Sequence, residues 1–159
     1  MDKQEFSRRV NAMMDRLYRI SYGQLREEQD RMDTVQDALL RAWMNRHKLR
    51  RPEYFETWLV RILINCCHNR QRDQRCTVPL EAAPEAAVGD PSATPDFELR
   101  SAILSLPEKQ RIVIILHYME DYSVEETAKI LKLPRETVRT RLRRARAALR
   151  EQLERGEAP

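Results

Sequence analysis

The stretch from Ser123 to Leu149, SVEETAKILKLPRETVRTRLRRARAAL, constrains the fold of this chain more than any other part of the sequence. Ser123 lies three residues before Glu126, which is the spacing of a capping box and predicts that a helix begins there. Pro134 is excluded from a helix interior but suits the first turn of a new helix. The stretch therefore predicts two helices joined by a tight turn at residues 132–134.

The second of these helices combines an apolar stripe with many arginines. Four apolar residues recur at spacings of three and four, which predicts a buried face. They are Val138, Leu142, Ala145 and Leu149. Residues 135–150 also contain seven arginines and a single acid. Because arginine pairs with phosphate or guanine through two hydrogen bonds, this pattern is typical of a helix-turn-helix that enters a DNA major groove. A solvated arginine-rich helix without a partner is the alternative.

Apolar residues elsewhere in the chain also recur with a period near 3.6, and only three glycines occur among 159 residues. This pattern predicts an all-α protein. In the first half we expect a long helix reaching toward residue 25, a second from about Arg31 to Arg46 and a third from about Glu53. The third helix is expected to weaken after Asn65, because asparagine and paired cysteines are poor helix formers.

A change of composition separates the two halves of the chain. Between Cys76 and Leu99 there are four prolines and five acids but no lysine or arginine, which is typical of a flexible acidic linker. The sequence therefore predicts two small helical domains, residues 1–75 and 97–159, loosely tethered by a linker at residues 76–96.

The net charge of +4 favours an acidic polymer as partner. No apolar run approaches the 18 or so residues of a transmembrane helix, so we expect a protein that is not embedded in a membrane. The first ten residues are too polar for a signal peptide, which predicts a cytoplasmic location.

The three cysteines, Cys66, Cys67 and Cys76, are an odd number in a chain with no export signal, which argues against a disulfide framework. Adjacent cysteines rarely share one zinc ion, and no Cys-x-x-Cys spacing occurs. Small half-buried thiols on a helix are the preferred interpretation, and a thiol- or zinc-dependent redox sensor is the alternative. No nucleophile–base pair, phosphate-binding loop or metal cluster is evident, so we expect neither an enzyme, a cofactor nor a small-molecule substrate.

Two further surfaces are open to more than one interpretation. A second stripe on the second helix places a leucine among polar and acidic residues, which suggests a docking face for a basic partner. It consists of Asp33, Gln36, Asp37 and Leu40. The third helix carries aromatic, amide and basic residues that suit unstacked bases. Periodicity alone equally allows the stripe on the second helix to be a solvated acidic face. The residues of the third helix can equally be core aromatics beside a solvated helix end.

At this point the chain resembles the extracytoplasmic-function (group 4) sigma factors of bacterial RNA polymerase. The block Asp33–Trp43 followed by Phe55–Asn69 resembles region 2 of that family, and Ser105–Leu149 resembles region 4. The resemblance covers nearly the whole chain outside the linker, and it has both blocks in the order of the family.

The resemblance implies a sigma factor that binds core RNA polymerase, reads the −35 element of promoter DNA, melts the −10 element and is held by an anti-sigma factor. It assigns docking on the β′ clamp helices of the polymerase to Asp33, Gln36, Asp37 and Leu40. It assigns −10 recognition to Trp58, Arg61, Asn65, His68, Asn69 and Arg72, with a base-capturing loop that starts at Asn65. It assigns −35 recognition to Arg135, Thr137, Arg139, Thr140, Arg143 and Arg144. The second domain would also contact the β flap, and the linker would run toward the RNA exit path. A stand-alone helix-turn-helix regulator is the alternative function.

Overall fold

The structure is a computed structural model that describes residues 1–77 and 95–157. Within these ranges the chain forms seven α-helices and no β-strand, which confirms the all-α prediction. The helices are α1 (Lys3–Tyr22), α2 (Glu28–Met44), α3 (Phe55–Thr77), α4 (Pro95–Ser105), α5 (Glu108–Ile114), α6 (Val124–Leu131) and α7 (Arg135–Glu157). The predicted linker falls mainly on residues 78–94, which lie outside the described ranges.

Helices α1, α2 and α3 pack together as a first helical unit. Helix α1 begins where the Asp2 carboxylate accepts a hydrogen bond of 2.8 Å from the backbone N–H of Glu5. The Phe6 ring then meets Trp43 of α2 edge-on, with the ring centres 5.1 Å apart, and Phe55 of α3 at 5.9 Å. This aromatic cluster joins the three helices at one end of the unit, since edge-to-face pairs add to the burial of apolar area.

Helix α3 continues to Thr77, so the expected weakening after Asn65 is wrong. Its buried face runs on from Leu59 and Leu63 to Cys66 and Cys67 at helical spacing. The intrinsic helix penalty of asparagine or cysteine is at most about 0.7 kcal/mol per residue. Burial of the two thiols and of the neighbouring core outweighs that penalty, so the helix does not end where propensity predicts.

The second helical unit contains α4 to α7, and its helix-turn-helix forms as predicted. The N–H of Glu126 donates to Ser123 Oγ at 3.0 Å, and the N–H of Ser123 donates to Glu126 Oε1 at 3.1 Å, which completes the capping box. Lys132 ends α6 in the left-handed conformation, with φ of 56°. Pro134 immediately precedes α7 and accepts a hydrogen bond of 3.2 Å from the N–H of Val138.

The two helical units are in contact, and we call this contact the seam. Buried apolar residues form one continuous core that extends from α1 to α7. Gly23 lies against Ile115, which begins a π-helical turn that follows α5. The buried guanidinium of Arg111 donates across the seam to Gln24 Oε1 at 2.8 Å. Both predicted helical units are present, and α1 and α3 of the first unit bury apolar and polar groups against the second. The flexible linker stays a prediction, because residues 78–94 lie outside the described ranges.

None of the helices in the described ranges has both the length and the apolar content needed to cross a lipid bilayer.

Candidate nucleic-acid interface

Helix α7 divides into a buried face and an exposed arginine face. Val138, Leu142 and Ala145 are buried against the second unit, as their spacing predicts. We call the opposite side the recognition face. It carries the exposed side chains of Arg135, Arg139, Arg143 and Arg144, and the half-buried side chains of Thr137 and Thr140. All six residues predicted for −35 recognition therefore lie on one helix.

Two of these arginines take part in ion pairs on the protein surface. Arg135 Nη1 lies 2.8 Å from Glu125 Oε1 of α6, and Arg139 pairs with Glu136 one turn earlier in α7. Exposed pairs of this kind are worth about 0–1 kcal/mol, so an approaching phosphate or base edge displaces them at little cost. The recognition face thus presents positive charge that remains available to an anionic ligand.

The stripe predicted as a docking face lies on α2, and we call it the acidic–leucine face. Gln36 and Asp37 are exposed, Asp33 is half-buried, and the side chain of Leu40 is 57% exposed. The Asp37 carboxylate pairs with Arg41 at 3.2 Å. Leu40 therefore contributes little to the core and is accessible to a partner surface.

The sequence interpretation missed Met44 as a member of this face. Met44 is 63% exposed and lies one helical turn beyond Leu40. Its spacing of four residues from Leu40 was the available signal. Together the two side chains form an exposed apolar strip beside the carboxylates.

The six residues predicted for −10 recognition all lie on α3, and we call them the single-strand face. Asn65 and Arg72 are exposed, whereas Trp58 and Asn69 are half-buried. The predicted loop at Asn65, His68 and Asn69 is wrong for this structure, because all three residues are helical. Their predicted role in −10 recognition stays a prediction.

Two members of the single-strand face contact the second helical unit. Arg61 donates from Nη2 to the carbonyl of Lys129 at 2.6 Å and from Nε to that of Ile130 at 2.9 Å. His68 Nδ1 lies 2.7 Å from Glu108 Oε1. Burial lowers the pKa of Arg61, since it removes the guanidinium from water. The seam therefore engages side chains that the sequence interpretation assigned to DNA.

A cleft of about 510 Å³ lies beside these contacts. Its lining includes Trp58, Arg61 and Asn65 of α3, Arg41 of α2 and Lys132 of the second unit. An aromatic ring, an amide and cations around one cleft suit an unstacked nucleotide.

Cys66 and Cys67 of α3 are free thiols that are fully buried, where the sequence predicted half-buried ones. Burial raises the pKa of Cys66 to about 11 and that of Cys67 to about 12. Among residues in the described ranges, no group of three histidine, cysteine or acidic side chains is arranged to hold a metal ion. The side chain of Cys76 lies outside the described residues.

We expect Cys66 and Cys67 to resist thiol reagents in the folded chain. In a Cys76→Ser variant at pH 8, the raised pKa lowers the thiolate fraction of Cys66 about 100-fold relative to an ordinary thiol, and burial slows the reaction further. Titration with a colorimetric disulfide reagent should show two thiols only after denaturation. Ser7→Cys in the same background is the reactive control, because Ser7 is exposed on α1. Rapid reaction of either native thiol would favour the redox-sensor alternative.

Family models match both helical units. Residues 10–77 match Sigma-70 region 2, and residues 96–149 match Sigma-70, region 4. The region 2 match precedes the region 4 match along the chain, as do the two sequence blocks that resemble these regions.

Curated relatives match over nearly the whole chain. The ECF RNA polymerase sigma factor SigW of Bacillus subtilis is 32% identical over 96% of this chain and 90% of the relative. The RNA polymerase sigma-E factor of Streptomyces avermitilis is 34% identical over 94% of this chain and 86% of the relative.

Solved structures share the fold of both units. The sigma factor RpoE, solved in complex with the anti-sigma factor NepR from Bartonella quintana, superposes with a TM-score of 0.76 at 25% identity. That superposition covers 95% of this chain and 98% of the other. CnrH, solved in complex with the cytosolic domain of CnrY, superposes with a TM-score of 0.73 at 24% identity over 99% of this chain and 92% of the other.

Proposed function

The chain belongs to the extracytoplasmic-function sigma factors of the sigma-70 family, and from this premise we propose how its three surfaces divide the work of transcription initiation. Sigma factors are regulatory subunits of RNA polymerase and not enzymes. Our proposal is that α7 reads the −35 element, α3 opens the −10 element, and α2 binds the polymerase in the bacterial cytoplasm.

The observation that carries the proposal is the division of α7 into a buried stripe and the recognition face. The helix buries Val138 and Leu142 and leaves the arginines directed toward solvent. A major groove accepts one α-helix, and a guanidinium reaches guanine O6 and N7 through two hydrogen bonds. Arg139 and Arg143, one turn apart, are placed to contact neighbouring base pairs.

We assign −10 opening to the single-strand face. Trp58 supplies a ring on which an unstacked base packs, and Asn65 supplies an amide for its hydrogen-bonding edge. Arg61 and Arg72 supply charge for the phosphates. Stacking and phosphate contacts offset the cost of taking a base out of the duplex, which is a few kcal/mol.

We assign polymerase docking to the acidic–leucine face. Asp37 and Leu40 are exposed on α2, so they are available to a basic partner surface with an apolar pocket. Charge complementarity speeds the encounter and sets the orientation of the partner. Leu40 supplies contact area once the partner covers it. The proposed partner is the β′ clamp helices, with the second unit on the β flap.

An anti-sigma factor is the proposed inhibitor. The RpoE chain was solved with the anti-sigma factor NepR, and its superposition covers 95% of this chain. We propose that a comparable partner holds this chain away from the polymerase.

In vitro transcription with purified core RNA polymerase tests the proposed function. On genomic fragments of the source organism, the chain plus core polymerase should initiate at discrete start sites preceded by two shared sequence elements. Core polymerase alone is the control. Absence of discrete initiation would overturn the proposal. Tight binding of the isolated chain to duplex promoter DNA, without polymerase, would favour the stand-alone regulator.

A further inference from the structure

The cleft of about 510 Å³ that Trp58 lines is formed by both helical units, and every charged side chain in its lining is a cation. One comes from α2, one from the short 3-10 helix that follows α2, one from α3 and one from the turn after α6. They are Arg41, Lys48, Arg61 and Lys132. A cleft lined by charges of one sign focuses the electric field and raises the local concentration of ions of the opposite sign. The lining therefore favours an anionic ligand.

The backbone of Lys132 indicates that its side chain has a role in this cleft. Lys132 ends α6 with φ of 56° and ψ of 48°, which is the left-handed conformation. Glycine adopts this conformation without the steric cost of a Cβ atom and is the usual residue at such a helix end. A lysine here is strained relative to glycine, and observed strain of this kind points to a function of the side chain. The cleft supplies that function, because Lys132 belongs to its lining.

Contacts within the protein hold two of these cations in place. Arg61 donates from Nη2 to the carbonyl of Lys129 at 2.6 Å and from Nε to that of Ile130 at 2.9 Å. Arg41 Nε lies 3.2 Å from the carboxylate of Asp37. A guanidinium has five N–H groups, so each arginine keeps donors for a ligand. Because part of their side-chain freedom is already lost, the two arginines lose less entropy when an anion binds.

The uncharged part of the lining suits a nucleobase. Trp58 is half-buried, and its ring packs against Phe55 with the ring centres 5.9 Å apart, which limits its motion. Ile62 adds apolar surface, and the amides of Asn45 and Asn65 add hydrogen-bonding groups. Aromatic side chains stack on the face of a base, and amides pair with its edge. The volume of the cleft also lies in the range of small-molecule sites.

From this combination we propose that the cleft is a binding site for a free nucleoside polyphosphate. The base stacks on Trp58, and the phosphates lie among Lys48, Arg61 and Lys132. Each phosphate forms charge-assisted hydrogen bonds with one or two cations, so several converging cations suit a chain of phosphates better than a single one. The ligand is bound and released unchanged, so the chain remains a binding protein and not an enzyme.

This site goes beyond promoter reading, because its ligand is a small molecule that binds without DNA or polymerase. It shares Trp58 and Arg61 with the single-strand face, so a bound nucleotide and a −10 strand compete for the same ring and the same guanidinium. The inference does not require the −10 assignment, however, since nucleotide binding is measured on the free chain.

Isothermal titration calorimetry of the purified full chain with GTP tests the site directly. Guanosine and inorganic tripolyphosphate are the partial ligands, since the first lacks the phosphates and the second lacks the base. We expect GTP to bind at one site per chain and about tenfold more tightly than either partial ligand, because only GTP engages Trp58 and the cations together. Bound GTP should also raise the thermal unfolding midpoint, since a ligand that binds only the folded chain stabilises it.

Lys132→Asn and Lys48→Gln each remove one cation from the cleft, and Lys129→Gln is the matched control. Asparagine tolerates the left-handed conformation of Lys132, so this variant keeps the end of α6. Lys129 is exposed on α6 and lies outside the lining. Both cleft variants should weaken GTP binding about tenfold through the loss of a charge-assisted hydrogen bond, whereas the control should bind GTP like the wild type.

Trp58→Leu separates stacking from charge. It should lower the affinity for GTP about tenfold and leave the affinity for tripolyphosphate unchanged, a split that a general loss of structure does not produce. Circular dichroism checks that each variant is folded, and the two lysine variants keep the test valid if Trp58→Leu does not fold.

No GTP binding by the wild type at millimolar concentration, or an equal loss of affinity in Lys129→Gln, would overturn the site. Equal affinities for GTP and tripolyphosphate would overturn the nucleotide assignment, and binding of a single-stranded DNA oligonucleotide but not of GTP would assign the cleft to DNA alone. The transcription assay is independent of these results. A chain that initiates at discrete sites without binding GTP keeps the proposed function and loses this inference, whereas a chain that binds GTP without initiating loses only the proposed function.

Discussion

Replacing Asp33 and Asp37 with arginine is expected to abolish association of this sigma factor with core RNA polymerase. Both carboxylates lie on the acidic–leucine face, whose Leu40 is exposed and ready for burial by a partner. Each reversal places a positive charge where the proposed partner surface is basic, and like charges held together at an interface cost several kcal/mol. A pull-down with tagged core polymerase measures the bound fraction, which should fall to background.

A matched charge reversal separates docking from net charge. Glu151→Arg with Glu154→Arg makes the same change in charge on the exposed side of α7, away from α2. The Asp33 carboxylate lies 3.6 Å from the guanidinium of Arg70, so reversing its charge removes an ion pair between α2 and α3. The folded state of the double variant must therefore be checked by circular dichroism. Normal binding by a folded Asp33→Arg, Asp37→Arg protein would refute the docking face, and loss of binding by the control would point to a general electrostatic effect.

Replacing Arg139 and Arg143 with alanine is the second change with a large expected effect. Each arginine that contacts a base through two hydrogen bonds contributes about 1–3 kcal/mol of discrimination. Both side chains are exposed on α7, so the fold loses only the surface pair between Arg139 and Glu136. Run-off transcription from a promoter mapped with the wild type should fall steeply, and the residual activity should no longer depend on the −35 sequence.

Arg150→Ala with Arg155→Ala is the control for this experiment. It removes two exposed positive charges from the later turns of the same helix, beyond the recognition face. A similar loss in both double variants would indicate non-specific attraction to phosphates instead of base reading. Full run-off activity of Arg139→Ala, Arg143→Ala would contradict the assignment of the recognition face.

Local signals in the sequence were sufficient to predict the helix-turn-helix. The capping box at Ser123, the break before Pro134 and the stripe that begins at Val138 all act within a few residues. Such patterns depend on backbone geometry and on which face is apolar, so they are readable without a tertiary structure. The exposed arginines of α7 follow from the same periodicity.

The extent of α3 was not readable from local signals. Helix α3 was expected to weaken at Asn65, yet the burial of Cys66 and Cys67 carries it on to Thr77. Contacts with distant residues outweighed a local helix propensity of less than about 1 kcal/mol per residue. The packing of Gly23 against Ile115, more than 90 residues apart in sequence, likewise has no local signal.

The amino-acid sequence by itself determined the all-α class, the helix-turn-helix and the positions of the basic and acidic faces, because these depend on short-range periodicity and charge. Only the tertiary structure decided that Arg61 and His68 contact the second unit and that Arg100 caps α1. A polar side chain on a helix surface has the same sequence signal whether it meets water, DNA or another helix. Its partner is set by which surfaces the folded chain brings together, and that information is absent from local pattern.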